Sequence, residues 1–138
     1  MKNTILIVED ESITALDLKF TLEELGYDVV GIADNGKDAI NLAAELSPDL
    51  TIMDIHLKGE MTGIDVSKRL SELNLPCIFL TAYSDDNTFN EVLESSSYGF
   101  ITKPFNKRTI GLNVDFAIKR SKVDAEKLNM AQGFVKGK

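Results

Sequence analysis

The chain has little that could carry disulfide, soft-metal or membrane chemistry. Among its 138 residues there is one cysteine, Cys77, and one histidine, His56. One thiol forms no intramolecular disulfide, and one thiol with one imidazole is no zinc or copper set. Cys77 sits in the apolar run Pro76-Cys77-Ile78-Phe79-Leu80-Thr81 and reads as a buried strand thiol in a reducing compartment. No apolar run approaches the roughly 20 residues of a membrane span. Met1-Lys2-Asn3 leads straight into an apolar strand with no signal-peptide pattern, so a cytoplasmic protein with no membrane partner is expected. Basic charge is scarce too: the net charge of −7 argues against direct nucleic-acid binding by this domain. Repeats and low-complexity tracts are absent. What is present, 43% hydrophobic and 27% charged residues, suits one domain with a real core.

The stretch to build on is Leu50-Thr51-Ile52-Met53-Asp54. Three apolar residues and a β-branched threonine suit a strand covered on both faces. Pro48-Asp49 in front is a loop signal. An aspartate inside such a strand would be costly, but at its carboxyl end it lies where open α/β sheets bind ligands. A second wholly apolar run, Ile5-Leu6-Ile7-Val8, also ends in acids, Glu9-Asp10-Glu11. These could be an acid-rich helix start capped by Asp10 or Ser12.

Helical spacing over 12–25 puts Ala15, Leu18, Leu22 and Leu25 on one face, and Gly26 stops the helix. Ile13, Leu16 and Phe20 form a second apolar stripe on the other side, as a docking surface would. A strand over 27–33 and a helix over 37–46 follow, the latter with Ala39, Ile40, Ala43 and Leu46 inward. After Asp54 come a loop with two glycines, a helix over 64–73 with Val66 and Leu70 inward, and a strand from Pro76 to Thr81. Then follow a helix over 85–95 (Phe89, Val92, Leu93), a short strand over 99–102 and Lys103-Pro104-Phe105. The last helix, over 106–120, turns Ile110, Val114, Ala117 and Ile118 inward. Residues 121–129 could prolong it, and 130–138 reads as a frayed end. The expected division is a domain over 1–121 and a tail over 122–138. Strands alternating with helices predict a parallel sheet covered on both faces, with right-handed crossovers. In the strand order 2-1-3-4-5, Glu9, Asp10 and Asp54 converge at one edge, with Thr81 and Lys103 beside them.

Carboxylates crowded together repel, so one protonates or a cation sits among them. Oxygen donors suit a hard cation such as Mg²⁺. A lysine ammonium and a threonine hydroxyl are donors to anionic oxygens. A carboxylate nucleophile, a divalent cation, a lysine and a hydroxyl together describe a phosphoryl-transfer site.

The set Glu9-Asp10, Asp54, Thr81-Ala82 and Lys103-Pro104-Phe105, each at a strand end, resembles the receiver domain of two-component response regulators, over residues 4 to 120. The resemblance implies a three-layer, flavodoxin-like (βα)5 fold. It implies that Asp54 accepts a phosphoryl group from a phosphohistidine on a sensor histidine kinase or a histidine phosphotransfer protein. It further implies that Glu9, Asp10, Asp54 and the backbone carbonyl of His56 hold Mg²⁺ (or Mn²⁺), and that Thr81, the Ala82 backbone and Lys103 bind the phosphoryl group. A cis Lys103-Pro104 bond is expected. Thr81 and Phe100 match the family's switch positions, and they would bias the surface of helix 4, strand 5 and helix 5. Strand alternation puts the competing aromatic, Tyr98, on the same face as Phe100. His56 and Tyr83 match positions that tune phosphoryl lifetime, although the simplest reading of His56 is an exposed loop residue. Ile13, Leu16 and Phe20 would receive the kinase, and a phosphorylation-dependent homodimer is one form the resemblance allows. The loop over 57–63 departs from the family in lacking a proline after the acceptor.

Three other functions fit less well. A haloacid-dehalogenase-like phosphatase needs an acid two residues after Asp54, where this chain has His56. A flavodoxin-like FMN protein needs a phosphate cradle after strand 1, where this chain has acids. A degenerate receiver acting only as a scaffold would not need all five residues intact.

Overall fold

A computed structural model of the chain describes residues 2–82 and 86–136. Five strands alternate with five helices: β1 (Thr4–Val8), α1 (Ser12–Glu24), β2 (Asp28–Ala33), α2 (Gly36–Leu46), β3 (Leu50–Asp54), α3 (Gly63–Glu72), β4 (Cys77–Ala82), α4 (Asp86–Glu94), β5 (Phe100–Lys103) and α5 (Lys107–Lys136). The strands form one parallel sheet in the order β2-β1-β3-β4-β5, as the sequence predicts.

Alternation along each strand divides the core in two. Ile5, Ile7, Leu50, Ile52, Ile78, Leu80 and Ile101 face α1 (Ala15, Leu18, Leu22) and α5 (Ile110, Val114, Ala117, Ile118). Leu6, Val8, Met53, Cys77 and Phe79 face α2, α3 and α4 through Ala39, Ala43, Val66, Leu70 and Val92. Central strands buried on both faces must be apolar throughout, which is why β1 and β3 carry continuous runs. Asn35 caps α2 by accepting from the Asp38 N–H, and Thr62 with Asp65 forms a capping box on α3.

Several details differ from the sequence reading. The cap position of α1 is Glu11 and makes no side-chain capping bond; the Glu9 carboxylate accepts from the Glu11 N–H instead, at 3.3 Å. Leu46, at the last residue of α2, is partly exposed although it still reaches over Gly31 of the edge strand β2, Leu93 is exposed, and the side chain of Phe89 lies outside those described. Tyr98 and Phe100 lie on opposite faces, Tyr98 against the α1–α5 core and Phe100 against the other. Gly99 between them has φ +138°, so alternation does not carry back past the start of β5. Helix α5 runs on through 121–129, as the sequence allows, and then to Lys136, where the sequence reads as a frayed end. Arg120 and Asp124 pair within it at 3.4 Å, and the Tyr98 hydroxyl donates to Asp124 at 2.8 Å, which gives the polar segment an anchor that apolar periodicity does not reveal.

Candidate functional site

The register of the sheet brings the site together. Val8 pairs with Met53, so the next residues, Glu9 and Asp54, stand side by side at the carboxyl edge of the sheet. The Glu9 N–H donates to the Ala33 carbonyl at 2.9 Å, which holds the first acid at the edge. On the other flank Asp54 pairs with Leu80, Thr81 with Thr102 and Ala82 with Lys103. Glu9, Asp54 and Thr81 are buried, Asp10 and Lys103 are half-buried, and Ala82 is exposed.

Glu9, Asp10 and Asp54 each present a carboxylate oxygen within 4.8 Å of the others. The Lys103 Nζ lies 3.1 Å from Asp54 Oδ2, 3.2 Å from Glu9 Oε2 and 4.0 Å from Glu11 Oε1. The second Asp54 oxygen, Oδ1, accepts from the His56 N–H at 3.0 Å. The Thr81 hydroxyl donates to the Ala82 carbonyl at 3.0 Å. The Lys103–Pro104 bond is cis. The His56 side chain is exposed, and Tyr83 lies outside the described residues.

One cation does not balance three acids. Burial and then the charge of Asp54 push the Glu9 carboxyl up to about 7, against the opposing pull of Lys103. Burial also works against charge on Lys103, yet its hydrogen bond to Asp54 and the charges of Asp54 and Glu9 outweigh this and hold it above its ordinary range. An excess of negative charge on hard oxygen donors fits a small divalent cation, with Glu9, Asp10 and Asp54 as the protein's donors.

Two contributors carry no sequence signal of their own. Gly63 opens α3 directly against the loop after Asp54, and its N–H donates to the Ile55 carbonyl at 2.8 Å. A Cβ on Gly63 would press on the Asp54 carbonyl oxygen and meet Ile55 Cα at 2.8 Å, so a side chain there would displace the backbone of Asp54 and of the residue that follows it. Together with the buried Leu57 and a bridge between Asn35 and Lys58, this fixes the loop in place of the missing proline. Glu11 is the other; only the path of the chain after β1 brings it near Lys103. The stripe of Ile13, Leu16 and Phe20 is exposed on α1, away from the sheet.

The sequence profile of the response regulator receiver domain matches residues 5–115. This chain belongs to that family. Among curated relatives, the receiver shares 35% identity over 119 residues with the transcriptional regulatory protein YdfI of Bacillus subtilis, covering 85% of this chain and 55% of the relative. It shares 35% identity over 107 residues with the chemotaxis protein CheY of Thermotoga maritima, covering 76% and 88%. The chain thus spans little more than half of several larger regulators and nearly all of a small one. Among solved structures, the signal receiver domain of a modulated diguanylate cyclase from Desulfovibrio desulfuricans superposes with a TM-score of 0.84 at 37% identity, over 90% of this chain and 99% of that one. The chain is therefore a receiver domain of the response regulator family. No helix among the described residues is long and apolar enough to cross a membrane.

Proposed function

We propose that this receiver is an active phosphoacceptor and that Asp54 is the residue modified. The observation that carries the reading is the placement of Asp54: a buried carboxylate at the end of a central strand, 3.1 Å from Lys103 and in a cluster with Glu9 and Asp10. An oxygen of Asp54 attacks the phosphorus of a phosphohistidine on a sensor kinase or phosphotransfer protein. The new O–P bond forms as the N–P bond breaks, and the imidazole leaves with the electron pair. Lys103 neutralises charge on the phosphoryl oxygens, and the Ala82 N–H and the Thr81 hydroxyl donate to them. Glu9, Asp10, Asp54 and the carbonyl of His56 would hold Mg²⁺ or Mn²⁺, which when bound supplies further charge neutralisation for the transferring group. The chain's own chemistry is limited to gaining and losing this group, so it acts as a switch and not as a turnover enzyme.

The switch follows from the same residues. The Thr81 hydroxyl, now spent on the Ala82 carbonyl, would turn toward the phosphoryl oxygens. Phe100, half-buried at the start of β5, would move into the space vacated and bias the surface of α4, β5 and α5. His56 and Tyr83 flank the site in sequence and would set how long the phosphoryl group survives. Ile13, Leu16 and Phe20, adjacent to the acid edge on α1, would receive the kinase or phosphotransfer protein, in the cytoplasm. A homodimer formed on phosphorylation and an output through a separate domain or protein complete the reading, with 1–121 as the receiver proper.

The test is intact-mass measurement after incubation with acetyl phosphate and Mg²⁺, beside Asp54→Ala. One added phosphoryl mass in the wild type only, lost with a chelator present from the start, is the expected result. Equal gain in Asp54→Ala would move the site elsewhere, and no gain with either acetyl phosphate or a phosphohistidine donor would make this a scaffold.

A further inference from the structure

Helix α5 has two apolar faces, and only one is packed. Ile110, Val114, Ala117 and Ile118 are buried against the sheet. Leu112, Phe116, Val123 and Met130 are exposed by 63, 63, 42 and 74%. At about 100° per residue, these four fall within an arc of roughly 40° nearly opposite the packed face. Their spacing is four, seven and seven residues, and they span about 27 Å of helix. Single exposed apolar side chains are ordinary, but a narrow straight seam at heptad spacing is the pattern one helix offers to another.

The charges around the seam select its partner. Residues 107–138 carry eight basic and three acidic side chains, a net +5, whereas residues 1–106 carry seven and nineteen, a net −12. Arg108, Lys119, Arg120 and Lys127 lie beside the seam. Two acids on this helix are already engaged: Asp115 by Lys119 at 2.9 Å, and Asp124 by Arg120 and Tyr98. Among the described residues neither Arg108 nor Lys127 makes an ion pair. A second copy in parallel register would set Lys119 against Lys119 and Glu126 against Glu126 along the edge of the seam, a like-charge penalty at both. An anionic lipid surface needs a broad apolar face, and it would repel the −12 remainder of the domain.

We propose that the outward face of α5 docks an acidic amphipathic helix of a second protein, laid lengthwise on Leu112, Phe116, Val123 and Met130. The partner helix supplies apolar residues at heptad spacing, and its Asp and Glu flanks meet Arg108, Lys119, Arg120 and Lys127. Docking on this surface does not require chemistry at Asp54, so its test is separate from that of the phosphoacceptor.

The probe is a labelled three-heptad synthetic helix with a leucine and isoleucine seam and glutamate flanks, titrated with the full chain and followed by fluorescence anisotropy. A second probe has the same seam with lysine flanks. The glutamate helix is expected to bind at least about tenfold more tightly than the lysine helix. Phe116→Ser with Val123→Ser should abolish binding while leaving the circular dichroism spectrum and melting midpoint near wild type, since both side chains are exposed. Lys119→Glu with Lys127→Glu should reverse the preference. Equal binding of the two probes, or binding of neither, overturns the proposal. So does sedimentation of the chain alone as a dimer that the serine variant loses, which would make the occupant a second copy. Co-sedimentation with phosphatidylserine vesicles that the serine variant loses would make it a lipid surface, and would overturn it equally.

Discussion

Strand β3 and the far part of helix α5 are equally regular, yet opposite forces hold them. All five residues of β3 are buried, and it is paired on both sides. Residues 125–131 of α5 are all exposed. The strand exists because the sheet covers it. The helix exists through its own backbone ladder, the Arg120–Asp124 pair and two tethers, Tyr98 to Asp124 and Lys122 to Asn3, and such a segment is marginal by itself. The strand side of this comparison carries the acid that defines the domain, and its rigidity suits a site whose distances must hold. The helix side can be ordered or loosened at little cost to the core.

The largest effect should come from breaking the strand side. Phe79 is fully buried in β4, in register with Met53 of β3 and Phe100 of β5. Phe79→Ala should lose about 3–5 kcal/mol in urea unfolding, the usual range for an aromatic removed from a core. A loss below about 1 kcal/mol would mean that the sheet tolerates a void beside the acceptor strand.

Gly63→Ala comes next. The added methyl meets backbone, not a flexible side chain, so α3 or the acceptor loop must shift. A loss of about 1–3 kcal/mol is expected, as for other overpacked sites. The phosphorylation rate should fall by more than that loss alone explains, because the displaced atoms are the Asp54 carbonyl and the residue after it. An unchanged rate with reduced stability would show that the loop adjusts without moving the acceptor.

The acid cluster sharpens the comparison through pH. The Glu9 carboxyl is raised from 4.5 to about 7 in the fold. Between those values the folded state holds a proton that the unfolded state has released, so this group's stabilisation is present below about pH 4.5 and is lost as pH rises through about 7. Without divalent cations, wild type should therefore lose on the order of 1–3 kcal/mol relative to Glu9→Gln across that window. Added Mg²⁺ should remove most of the difference by stabilising the ionised cluster. Parallel pH profiles of the two proteins in chelator would count against a crowded Glu9.

The two sides also differ in how far the sequence reveals them. Apolar runs ending in acids expose β1 and β3, and the alternation of elements then places Glu9, Asp10 and Asp54 together, because parallel sheets leave few topologies. Tyr98 and Phe100 mislead because their spacing implies one face, whereas the backbone at Gly99 reverses it. The sequence allows α5 to run on to about 129 but hides its last turns and what holds them, because the inward stripe ends at Ile118 and the anchor beyond it is a contact with a residue 26 positions away. Gly63 is equally silent: a glycine shows in the sequence, but the backbone pressed against it does not.

That distant contact is also the smallest effect expected. The Tyr98 hydroxyl reaches Asp124 at 2.8 Å from the loop before β5, and Arg120 holds the other oxygen of Asp124 at 3.4 Å. Tyr98→Phe keeps the ring in the core and removes only this bond. It should cost about 0.5–1.5 kcal/mol in global unfolding, the net worth of one partly exposed hydrogen bond. Its larger consequence should be local. If the bond tethers the far part of α5, hydrogen exchange over residues 121–131 should speed up while β3 stays protected, since the two regions open by separate routes. Faster exchange in both would mean that the helix end and the acceptor strand open as one unit, and the contrast between them would then lie in exposure alone. Unchanged exchange in both would assign the helix end to its own backbone, the Arg120–Asp124 pair and the Lys122–Asn3 contact, with Tyr98 a bystander.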